Sequence, residues 1–264
     1  MALTLYHNAM SSCAAKVRMV LSEKGLAWAG VHLDLRAGDQ HRPAYVKLNP
    51  KKVVPTLVHG EDVITESNVI CEYLDDAFAE RPVRPTHPAK LAQMRLWTKQ
   101  IDEGVHAATA IISNCIAFRH QHLEKTPEAI QTTLSNVVPL ARRERLRRAI
   151  ELGMDSPDFV DGVMRYEKLL DDIETVLEKG DWLLGDAFSL ADISYASYMA
   201  RLQHLGFGER IEARPRTAEW VGRLMAQSSY KEGIEAWFDP NYLTLFASQR
   251  DMAQSKISAI VEAA

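Results

Sequence analysis

A chain of 264 residues, 47% hydrophobic and 25% charged, holds enough apolar material for one large domain or two ordinary ones and is no disordered protein. Its formal net charge of −4 leaves no electrostatic footprint for nucleic acid, and no stretch approaches the roughly 18 uninterrupted apolar residues of a membrane span. Three cysteines, Cys13, Cys71 and Cys115, stand too far apart for a disulfide framework or a metal cluster, so the chain reads as reduced, cytoplasmic and free of metal.

The opening Met1-Ala2-Leu3-Thr4-Leu5-Tyr6 has neither a basic nor an apolar leader region, which argues against a signal peptide. Instead Leu3 to Tyr6 reads as a short strand. Ala14 to Lys24 is an amphipathic helix closed by Gly25. Trp28 to Leu33 follows as a second strand with Val31 and Leu33 on one face, then Pro43 to Leu48 as a helical turn. Pro55 to His59 and Val63 to Thr65 form a hairpin around Gly60. Glu66 to Phe78 is a helix whose apolar side carries Val69, Ile70, Tyr73 and Leu74. The order βαβ, α, ββα predicts a small mixed sheet with helices on its faces over residues 1–80.

Three prolines between Ala79 and Pro88 mark a linker. From 89 to 264 the periodicity is helical: Ala89 to about Arg119, Asp158 to Lys179, Leu190 to Leu205 and Arg216 to Gln227. Phe118 to Pro157 is a long, polar, partly helical connection. Within it Arg142 to Arg148 is a dense basic run that reads most simply as a solvated helix face. Beyond Trp237 a Pro-Asn turn precedes an amphipathic helix from about Leu245. Ser189 stands three residues ahead of Asp192 before an apolar run, the pattern of a reciprocal helix cap.

Three segments carry chemistry. Ser11-Ser12-Cys13 opens the first helix, where free N–H groups and a partial positive charge favour an anion. Either serine could simply cap that helix, and Cys13 could be a small core residue or a reactive thiolate. Pro55, after Asn49-Pro50-Lys51-Lys52-Val53-Val54, suggests either an edge strand or a cis peptide that turns the Val54 N–H and C=O towards a ligand. Glu66-Ser67 at a helix start offers a carboxylate for an ammonium and donors for a carboxylate, which suits the zwitterionic head of an amino acid; the alternative is a capped helix.

Taken in this order and spacing, the segments resemble the amino-terminal half of glutathione transferases, and Phe188-Ser189-Leu190-Ala191-Asp192-Ile193 resembles a box in that family's helical second half. The likeness covers nearly the whole chain. It implies an α/β thioredoxin-like domain over 1–80 and an all-α domain over 89–264, paired as a homodimer, with glutathione as co-substrate and a small electrophile as the second substrate. Carried over, Val54 and Pro55 would meet the cysteinyl group, Glu66 and Ser67 the γ-glutamyl end, and His41 and Lys52 the glycyl carboxylate. Ser11 would steady the glutathione thiolate, with Ser12 as cap or substitute, and Cys13 would allow a second, reductive chemistry. Trp97, His106, Ile111, Ile112 and Phe118 would line the electrophile's site, though apolar residues at this spacing mostly pack. Ser-Ser-Cys resembles the zeta-like isomerases and the tetrachlorohydroquinone dehalogenases. Glu72-Tyr73-Leu74 and Met94-Arg95-Leu96-Trp97-Thr98-Lys99 resemble bacterial β-etherases. A non-catalytic binding protein on the same fold is the competing class.

Overall fold

The computed structural model describes residues 2–264. Strand β1 (Leu3–His7) leads into helix α1 (Ser12–Glu23), β2 (Trp28–His32), the short α2 (Pro43–Leu48), β3 (Thr56–His59), β4 (Asp62–Thr65) and α3 (Ser67–Ala77). The four strands form one sheet in the order β2-β1-β3-β4, with β1 parallel to β2 and antiparallel to β3, and β3 antiparallel to β4. The rest of the chain is helical: α4 (Pro88–Gln100), α5 (His106–Ser113), α6 (Arg119–Leu123), α7 (Pro127–Ser135), α8 (Leu140–Leu152), α9 (Pro157–Val176), α10 (Leu190–His204), α11 (Gly208–Glu212), α12 (Pro215–Ala226), α13 (Ser228–Gly233) and α14 (Pro240–Glu262). Wider π-type turns at Ile101–Val105 and Asn114–Phe118 flank α5. This is the thioredoxin-like domain followed by a helical one that the pattern predicts. No helix among the described residues is long and apolar enough to cross a membrane.

Contacts gather the chain into two compact units. One holds the residues up to Thr98 together with Lys179–Met199 and Glu219–Pro240; the other holds Lys99–Glu178, Ala200–Ala218 and Asn241–Ala264. In the first unit, the capping box is present and does more than cap. Asp192 accepts the N–H of Ser189 at 3.0 Å, the N–H of Leu183 at 2.9 Å and the indole N–H of Trp220 at 3.0 Å, all buried. Burial nevertheless pushes its carboxyl up to about 6. In the second unit, Ile112, Phe159, Val163, Tyr166 and Leu170 are fully buried. Gly162 lets α9 approach α5: a Cβ there would lie 3.1 Å from the Ile112 side chain.

Several local expectations change. Helix α1 is not amphipathic, because every residue from Ala14 to Leu21 is buried, Lys16 and Arg18 among them. Both α3 and α13 pack on it. The closeness of α13 depends on Gly233, where a Cβ would fall 2.5 Å from the Met19 backbone nitrogen. On α3 the buried stripe is Ser67, Ile70, Cys71 and Leu74, spaced i, i+3, i+4, i+7, which leaves Val69 off the stripe and 55% exposed. Strand β2 lies at the sheet edge, so Val31 is 36% exposed while Leu33 just beyond it is buried. Pro55 precedes β3, an inner strand, and its bond to Val54 is cis, which removes the edge reading. Pro240-Asn241 opens α14 rather than a turn, since proline's preset φ and missing N–H suit a helix's first position.

Candidate active site

The site is built on the first unit. Ser11 is the N-cap of α1, its Oγ accepting the Ala14 N–H at 3.2 Å. This corrects the expectation that Ser12 is the cap. Ser12 is the first helical residue, and its carbonyl accepts the Ser197 hydroxyl of α10 at 2.9 Å. Capping does not use up Ser11, because a hydroxyl that accepts keeps its own proton to donate. One residue further, half-buried Cys13 has its Sγ 3.6 Å from the Tyr198 hydroxyl and forms no disulfide.

The loop ahead of Ser11 is held from inside. Asn8 donates to the Leu33 carbonyl at 2.9 Å and accepts the Met10 N–H at 3.0 Å. Beneath it Arg18, 1% exposed, donates to the carbonyls of Asn8 at 3.1 Å, Ala9 at 3.0 Å and Gly233 at 2.9 Å. Its guanidinium also lies 4.8 Å from the Trp237 ring centroid. Burial lowers Arg18 to about 9. His7 beside it is lowered to about 4, by burial first and then by the charges of Arg18 and His32, so its ring is neutral and can accept from Arg18.

The second segment presents unused polar groups. Val54 is buried against Leu33 and Tyr45. The preceding Val53 carbonyl accepts from Tyr45 and Asn49. Neither the N–H nor the C=O of Val54 finds a partner among the described residues. At the third segment Glu66 sits before α3 at φ 67°, in the left-handed region. Ser67 is the first, buried residue of α3, and its N–H and hydroxyl likewise enter no hydrogen bond among the described residues.

The two residues expected near a glycyl carboxylate are placed differently from these. Lys52 is exposed at φ 58°, and it is Lys51 that pairs with Glu66, at 2.6 Å, which raises the Lys51 ammonium. His41, exposed, ends a half-buried turn over Asp39–His41, its side chain bonded to none of the other site residues. Of the proposed electrophile-side residues, Ile112 is fully buried, and Trp97 packs its ring 5.6 Å from Tyr195. Phe118 lies 5.7 Å from Tyr242 and 5.6 Å from Phe246 within the second unit. Cys71 and Cys115 are buried, and burial pushes each thiol up to about 12, so neither is a nucleophile at neutral pH. Sequence reasoning missed Lys16, Arg18 and Tyr198. The signal for the first two was available, as cations inside an otherwise apolar run from Ala14 to Leu21.

Comparison with known proteins decides the family. A profile described as the glutathione S-transferase N-terminal domain matches residues 1–76, and one described as its C-terminal domain matches 139–223. The chain belongs to the glutathione S-transferase family. It is 31% identical over 241 residues to the protein LigF of Sphingobium sp. strain SYK-6, covering 89% of this chain and 94% of that one. The crystal structure of that β-etherase superposes with a TM-score of 0.81 at 32% identity, over 89% of this chain and 100% of the other. A tetrachloro-p-hydroquinone reductive dehalogenase of Sphingobium chlorophenolicum is 26% identical over 251 residues, 86% of this chain and 94% of its own.

Proposed function

We propose that this transferase binds glutathione along Val54, Glu66 and Ser67 and uses Ser11 to hold its sulfur as thiolate for attack on an electrophilic carbon of a small aromatic or unsaturated substrate. The observation that carries this reading is the set of unpaired groups at two buried residues: the Val54 backbone, which would ordinarily be satisfied, and the free N–H and hydroxyl of Ser67 at the start of α3. A peptide thiol could satisfy them. The cysteinyl backbone would pair with Val54, and the γ-glutamyl carboxylate would accept from Ser67 at the positive end of α3. Its ammonium would then take Glu66 from Lys51, an exposed pair held weakly in water.

A free thiol near pKa 8.5 is only a few per cent ionised at pH 7. The Ser11 hydroxyl and the α1 N-terminus would together lower that value by about two units, making thiolate the main form. Likeness to a β-etherase supports an aryl ether as the electrophile, with the thiolate displacing an aryloxide and a thioether remaining. Exposed Val63, Val69 and Leu96 on the first unit support a homodimer.

A second reading is favoured by the Cys13–Tyr198 contact. The Cys13 thiolate would attack the sulfur of a glutathione conjugate, forming a Cys13–glutathione disulfide and releasing the organic group as a carbanion that takes a proton. A second glutathione thiolate would then attack the glutathione sulfur of that disulfide, releasing glutathione disulfide and leaving Cys13 as its thiolate. Cys13→Ser separates the two: thioether formation survives it and reductive turnover does not.

Two substitutions test the main reading. Ser11→Ala is expected to raise the pKa of bound glutathione by about one to two units, read from thiolate absorbance, while leaving KM for glutathione near wild type. Ser67→Ala is expected to raise that KM about tenfold without moving the thiolate pKa. Failure of the wild-type protein to bind glutathione at millimolar concentration would overturn the proposal.

A further inference from the structure

Helix α1 buries a positive charge that nothing described so far balances. Lys16 is 0% exposed, and its ammonium donates to the Asn68 side-chain oxygen in the first turn of α3. No carboxylate among the described residues lies within ion-pairing distance of it. The same helix is followed directly by a contrasting case: Lys24 is just as buried but is paired with Asp75 at 2.8 Å. The acids on and just before α3 are engaged elsewhere. Glu66 holds Lys51, Glu72 holds Arg84 and Arg95, and Asp75 holds Lys24 and Arg84. On α13, Glu232 accepts the Ser22 hydroxyl; on α10, Asp192 is enclosed by Ser189, Leu183 and Trp220. The other buried cation of α1, Arg18, is spent on the carbonyls of Asn8, Ala9 and Gly233.

A buried ammonium with only a neutral partner is costly, and an anion formed beside it is correspondingly favoured. Lys16 lies one turn beyond Cys13 on the same helix face, and helical side chains lean towards the N-terminus. Its head therefore stands under the start of α1 and against the start of α3, where two helix ends already favour negative charge. Cys71 on α3 also feels this charge, yet its burial keeps it a neutral thiol. What remains is a sulfur anion at the Ser11–Cys13 turn. We propose that Lys16 is the buried counter-charge for that thiolate, a positioning residue acting by its field on the glutathione sulfur, on Cys13, or on both.

For the glutathione sulfur this rests on the function proposed above; for Cys13 it does not. Two titrations keep these apart: thiolate absorbance of bound glutathione, and the pH dependence of Cys13 alkylation by iodoacetamide without glutathione. Lys16→Met is expected to raise the pKa by about one unit in at least one arm, about a tenfold fall in the thiol's ionisation constant, whereas Lys16→Arg stays close to wild type. Asn68→Asp keeps the lysine and offers it a carboxylate, so it should raise the same pKa even if Lys16→Met does not fold. A shift confined to one arm names the sulfur concerned. Unchanged pKa values in both arms, in a folded Lys16→Met or in Asn68→Asp, would overturn the proposal. Absence of glutathione binding by the wild type would instead remove the function, with the Cys13 arm still deciding on Lys16.

Discussion

Two cation-bearing helices of this protein are handled in opposite ways. Helix α8 carries five arginines between Arg142 and Arg148, and the sequence advertises it loudly. There Arg147 spans Glu144 and Glu151 at 2.9 and 2.6 Å, and Arg148 forks onto Asp158 at 2.6 and 2.9 Å. These charges stay near water, and the run is a solvated face. Helix α1 carries two cations, fewer than α8 in a similar length, but these, Lys16 and Arg18, are 0% and 1% exposed. They touch carbonyls, an amide and an aromatic ring instead of acids. Charge density along a chain thus says little about where charge matters. A cation matters when it is taken out of water without its counter-ion.

Arg18→Met would break that contrast most severely. It leaves the carbonyls of Asn8, Ala9 and Gly233 without their donor, and a loss of about 3 kcal/mol is expected in urea unfolding. Bound glutathione in any folded fraction should also show a raised thiolate pKa, because Asn8 and Ala9 lead directly into Ser11.

Acid should expose the same region next. Folded His7 ionises at about 4, against 6.5 for an unperturbed ring. Between those values the unfolded chain binds a proton that the folded chain refuses, so stability falls as pH drops. The contribution is full above pH 6.5 and gone by about pH 4, amounting to about 3 kcal/mol. Urea midpoints compared at neutral and acid pH should fall less in His7→Gln than in the wild type; equal falls would exclude His7.

The smallest effect belongs to α8. Arg147→Ala removes two exposed ion pairs and should lower the melting temperature by no more than about 2 °C, a difference that shrinks further in high salt. A larger drop would mean that the basic helix is not the solvated face its geometry describes.

Much of this was legible beforehand, and the reasons are local. Ser189 and Asp192 declared a helix start because reciprocal capping needs only four residues, and the cap is there. The strand and helix order of the first eighty residues followed from periodicity and from Gly and Pro punctuation. Other points depended on neighbours the sequence does not name. Val69 lies off the buried stripe of α3, and α1 is enclosed on more sides than a helix in a two-layer fold shows by pattern alone. Whether Ser11 or Ser12 capped α1 turned on one residue of register. Cys13 met Tyr198, a hydroxyl 185 residues away.

By itself, then, the sequence determined the element order and the domain types and picked out three candidate segments, since propensity, capping and turn preferences act over a few residues. Tertiary structure alone decided which polar groups went without their usual partner: the Val54 backbone and the Ser67 N–H without a hydrogen bond among the described residues, and the buried Lys16 ammonium without a carboxylate. Desolvation is set by everything packed around a group: Leu33 and Tyr45 around Val54, and the later helices α3 and α13 around α1.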